Sequence, residues 1–145
     1  MVVVRLQLTE RYPAEISPMS TAYFVVLDNE NPGFDTFVNG KAVMRETDAI
    51  SRIARSLGLR DIHDFASFAS IADEFDIDPE SPDAEEKWFR AAEGVAWVQA
   101  IRTYLDSHQT AIENVVAVQE DLAEYQRVLE AAARIDANWH FEIDV

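Results

Sequence analysis

Apolar residues recur at helical spacing over two long stretches of the last third of the chain, and then alternate with polar ones to its end. From about residue 91 to 107, Ala91, Gly94, Val95, Trp97, Val98, Ile101, Tyr104 and Leu105 share one broad side. Glu93, Gln99, Thr103 and Asp106 take the other. Gly94 lies within the apolar side, where a missing side chain admits a close neighbour at a helix-propensity cost of about 1 kcal/mol relative to Ala. A second helix is expected from about 114 to 135, with Val118, Leu122, Tyr125, Leu129 and Ala132 inward, Val115 and Val128 flanking, and Asn114 as N-cap. Its outer face carries Glu120, Glu124, Arg127, Glu130 and Arg134, with Glu124/Arg127 and Glu130/Arg134 spaced for ion pairs. Only residues 107–113 join the two helices, which predicts an antiparallel hairpin. Trp139, Phe141, Ile143 and Val145 then alternate with Asn138, His140, Glu142 and Asp144, the signature of a half-buried strand.

The first part of the chain is more broken. Val2, Val3, Val4, Leu6 and Leu8 predict a short strand, and residues 10–18, with two prolines, a connection. Residues 19–27 predict a second strand with apolar residues on both faces, as a central strand requires. Asp28 to Gly33 is turn chemistry. Asn39-Gly40 predicts a two-residue hairpin turn between 36–38 and 41–43, the other reading being an irregular loop into a helix. Thr47 is expected to cap a helix over 48–57 that Gly58 ends. Ile62, Phe65, Phe68, Ile71 and Phe75 have the spacing of helical turns, and residues 73–86, with eight acids and two prolines, must be largely surface loop. These elements predict a single α+β domain over 1–145. A small antiparallel sheet of three to four strands is covered by two or three helices, with a C-terminal helical hairpin followed by a final strand.

Charge narrows the partners. Of the net charge of −15, residues 1–60 contribute nothing, seven acids cancelling seven bases, whereas residues 61–145 hold twenty acids against five bases. Such a field opposes nucleic acid and anionic membranes and suits a basic partner or a cation, although solubility alone is the plainer explanation. The opening residues are too short and too interrupted by Arg5 and Gln7 for a signal or membrane span, so a soluble cytoplasmic protein is expected. Without cysteine, neither disulfides nor thiolate metal sites arise.

Candidate chemistry is sparse. Asp76, Asp78 and Glu80 have the spacing of the first three ligands of a calcium loop, but Ser81 replaces the needed glycine and Lys87 the bidentate glutamate. His140 shares a strand face with Glu142, and His63 lies between Asp61 and Asp64, so His140, Glu142 and His63 form a metal or general acid/base site if those segments meet. The alternative is hydrogen-bonded or surface histidines; His108 falls in a polar link. Four isolated glycines build no phosphate-cradling loop, and no serine sits in a nucleophile elbow. No cofactor is implied.

Trp88-Phe89, Ala92-Glu93-Gly94, the run from Glu124 to Ala132 and Trp139-His140 are similar to a set of small bacterial proteins with no assigned activity. Pro32-Gly33-Phe34-Asp35 and Val38-Asn39-Gly40-Lys41-Ala42 extend the resemblance, which spans residues 19–145. It implies a fold and no chemistry, and makes Met19 a candidate start with 1–18 an extension; otherwise Val2 to Leu8 is an edge strand. The leading functional expectation is a non-catalytic interaction protein of immunity, antitoxin or regulatory type. Its acids Asp76, Asp78, Glu80, Asp83, Glu85 and Glu86 would engage a basic protein. The alternatives are an enzyme or metal-dependent binder using His140, Glu142 and His63 in a cleft beside the sheet, and a homodimer through the Leu122/Leu129 seam or an edge strand.

Overall fold

The computed structural model describes residues 21–69, 76, 78–81 and 85–144. The closing strand, β3 (Asn138–Asp144), is the centre of a three-stranded antiparallel sheet. On one side it pairs with β1 (Ala22–Leu27), in a register running from Ala22 opposite Asp144 to Leu27 opposite Trp139. On the other it pairs with β2 (Phe89–Arg90), and beyond β2 the Ser67 N–H donates to the Phe141 carbonyl at 2.9 Å. Trp139 and Phe141 lie edge to face at 4.9 Å, Trp139 stacks on Phe65 at 4.9 Å, and Phe141 meets Tyr125 at 5.0 Å and Tyr23 at 5.3 Å.

Helices cover the face of Trp139 and Phe141. α3 (Ala91–Ser107) and α4 (Val115–Arg134) form the expected hairpin. Its antiparallel sense shows in the cross-links: Gln119 donates to the Arg102 carbonyl and to Asp106, and further along α4 Gln126 accepts from Arg102, which is earlier in α3 than Asp106. Gly94 is where α3 touches the sheet. A Cβ there would lie 2.7 Å from the Trp139 indole, so the glycine lets that ring approach the helix backbone closely. Ahead of the hairpin come α1 (Lys41–Arg45) and α2 (Thr47–Ser56).

Helix ends follow local rules. α2 stops as expected at Gly58, with φ +72°, where Leu59 N–H reaches the Ala54 carbonyl and Gly58 N–H the Arg55 carbonyl. α4 ends in the same motif, with Asp136 at φ +59° in place of glycine and bonds from Ala137 to Ala132 and from Asp136 to Ala133. Asn114 precedes α4 in the left-handed region and makes no side-chain cap, contrary to expectation. Thr47 is the first residue of α2 rather than its cap, and its hydroxyl donates back to the Val43 and Met44 carbonyls.

The expected hairpin at Asn39-Gly40 does not form. Gly40, at φ +71°, turns the chain into α1, which is the loop-into-helix alternative. A hairpin there would need two strands, whereas the described residues on either side of Gly40 form none, and the Gly40 carbonyl instead accepts from Tyr23 N–H of β1. After Leu59 the expected helical spacing gives a 3-10 turn over Ile62–Phe65, after which Ala66 bridges to Phe141 on β3. The expected strand over Val2 to Leu8, and Ile71 and Phe75, lie outside the described residues.

Candidate functional site

The acidic segment is a surface feature. Asp76, Asp78, Glu80, Glu85 and Glu86 are exposed, and Asp83 lies outside the described residues. Asp78 is turned into its own loop: its carboxylate accepts from Glu80 N–H at 2.9 Å and its carbonyl from Ser81 N–H. That is turn chemistry rather than a cation cage, in keeping with Ser81 and Lys87 standing at the two positions that defeat a calcium loop.

The segment leads into β2 through an anchor built around His140. Successive strand residues face opposite sides, so His140, between Trp139 and Phe141, projects away from the helices. It is nonetheless 0% exposed, with Trp88 stacked on it at 4.1 Å. The Nδ1 atom lies 2.5 Å from the Lys87 carbonyl oxygen, and Nε2 lies 2.9 Å from Glu142 Oε2. A carbonyl oxygen can only accept, so Nδ1 is the donor to Lys87, and Nε2 is taken up by the Glu142 carboxylate. Lys87 N–H points to the Ser67 hydroxyl, so both backbone groups of Lys87 are held where the acidic segment leaves the sheet.

His63 stands elsewhere. Its Nδ1 lies 3.0 Å from the hydroxyl of Tyr23, whose ring packs against Phe141 on the helix-covered face, the side opposite His140. The structure thus brings His140 and Glu142 together and leaves His63 on the other side of the sheet. Among the described residues no group of three histidine, aspartate or glutamate side chains is placed to hold a metal ion. The His140 ring is sealed from solvent with both nitrogens engaged, whereas a general acid or base must come within hydrogen-bond reach of its substrate.

Next to His63, Asp61 is the hub of a surface network. Its carboxylate accepts from Ser51 Oγ at 2.5 Å, from Arg55 Nη1 at 2.7 Å and from His63 N–H at 3.2 Å. Burial pushes this carboxyl up, but the Ser51 and His63 hydrogen bonds and the nearby His63 and Arg55 charges outweigh it and hold it below its ordinary value.

A buried carboxylate that the charge pattern did not single out lies on α4. Asp121 is 5% exposed, and its Oδ2 accepts from the N–H groups of Ala42 at 2.9 Å and Val43 at 3.1 Å. It caps α1 from another helix, because Gly40 has no side chain to do so. Burial raises its carboxyl above the ordinary value, against the pull of the Val43, Ala42 and Gly40 N–H groups, and Glu124 adds to the rise. The signal was present in the spacing: Asp121 is three residues after Val118 and four before Tyr125, a polar residue on an apolar face.

Three further α4 side chains grip the same stretch of chain. Glu124 accepts from Asn39 N–H at 2.8 Å, the Tyr125 hydroxyl donates to the Tyr23 carbonyl at 2.8 Å, and Arg127 donates to the carbonyls of Asp35 and Phe37 at 3.0 and 3.1 Å. Burial lifts the Tyr125 hydroxyl well above its ordinary value, with the charges of Asp121, Tyr23 and Glu124 in the same direction. The expected ion pairs Glu124/Arg127 and Glu130/Arg134 are absent among the described residues: Glu124 and Arg127 bind backbone, and Glu130 accepts from Gln126. The loop they hold presents Phe37, which is 70% exposed.

A depression is lined by Arg90, Asp136, Asn138 and the alanines 91, 92, 133 and 137. Asn138 is already committed, its backbone and side-chain N–H groups both donating to the Asp28 carboxylate. No helix among the described residues is long and apolar enough to cross a membrane. No family model, curated protein or solved structure matches the chain.

Proposed function

We propose that this protein is a non-catalytic binding protein whose acidic surface engages a basic protein partner, as an immunity, antitoxin or regulatory protein does. The observation that carries this reading is the charge distribution. Residues 61–145 hold twenty acids against five bases, and the described ion pairs are Arg55–Asp61, Arg60–Glu93 and His140–Glu142. The exposed acids Asp76, Asp78, Glu80, Glu85 and Glu86 belong to none of them. A one-signed field of this kind accelerates encounter with a positive surface and repels phosphate-bearing partners. The anchor at Lys87 and His140 supports the same reading, because it ties the acidic segment to the central strand at its exit.

The test starts from capture of a partner on the tagged full-length chain in host lysate, with elution by stepwise salt and identification by mass spectrometry. The purified partner is then titrated calorimetrically against the wild-type chain and a variant with Asp76, Asp78, Glu80 and Glu86 reversed to Lys. Wild-type affinity is expected to fall with added salt, and the variant, folded by circular dichroism, to bind about a hundredfold more weakly. Equal binding by the two chains overturns the proposal.

A further inference from the structure

We draw no further inference here: the strongest candidate, the exposed Phe37 side chain on the loop clamped by α4, is a lone apolar surface, and nothing in the structure shows what covers it.

Discussion

At Gly40 the backbone conformation and the surrounding atoms both exclude a side chain. The Gly40 φ of +71° is open to glycine and strained for other residues, and a Cβ at this position would collide with the Tyr23 carbonyl oxygen and approach the Tyr125 hydroxyl to 2.9 Å. Two independent penalties thus fall on one methyl group. Gly40→Ala is expected to destabilise the protein by about 3 kcal/mol or more in urea unfolding, and a loss below about 1 kcal/mol would contradict this contact. Asp121 invites a different experiment, because its carboxyl binds a proton more readily folded than unfolded. Between the unfolded value of about 3.9 and the raised folded one, the native state holds more protons, so falling pH adds stability through this group. Asp121→Asn keeps an acceptor for Ala42 and Val43 but cannot titrate. Wild type should therefore gain on the variant as pH falls from 7 towards the carboxylate range, read as the difference in melting temperature; a constant difference would contradict it.

At the scale of elements, α4 works as two surfaces. Its apolar stripe, Val118, Leu122, Tyr125 and Leu129, packs in the core, while Asp121, Glu124, Tyr125 and Arg127 bind backbone groups of residues 23–43. Those bonds hold an otherwise irregular loop beside β1. Arg127→Ala removes two of them at once, and exposed hydrogen bonds of this kind are worth about 1 kcal/mol each. Hydrogen exchange at the amides of Phe37 and Asn39 should speed about tenfold or more, while amides in the middle of α4 keep wild-type protection. Uniform acceleration throughout α4 would show instead that Arg127 supports the helix rather than the loop.

For the whole molecule, the excess of acid over base is a cost to the compact state. Like charges held within one small domain repel, and the repulsion is screened as the Debye length shrinks from about 30 Å at 0.01 M to about 8 Å at physiological ionic strength. Only two arginine–carboxylate pairs, Arg55–Asp61 and Arg60–Glu93, form among the described residues, so little attraction is lost in exchange. Raising NaCl over that range should lift the melting temperature by a few degrees, equivalent to about 1 kcal/mol. A falling melting temperature would mean that the ion pairs outweigh the repulsion.

Periodicity was enough to identify α3, α4, β3 and the end of α2 at Gly58, because each is a local pattern that one apolar face or one left-handed glycine dictates. The α+β class follows from those elements. Side-chain partners were not legible in the same way. Glu124 and Arg127 have ideal spacing for each other, yet bind a loop 85 to 92 residues away. His140 reads as a solvent-facing strand residue and is buried, with Trp88 and the Lys87 carbonyl reaching it from another segment. Asn39-Gly40 satisfies a hairpin turn locally, but β1 and the carboxylate of Asp121 draw it into a loop and a helix start. A local pattern specifies which face of an element is apolar. Which distant backbone group meets a given carboxylate or guanidinium depends on where β3 docks, and that is a property of the assembled sheet.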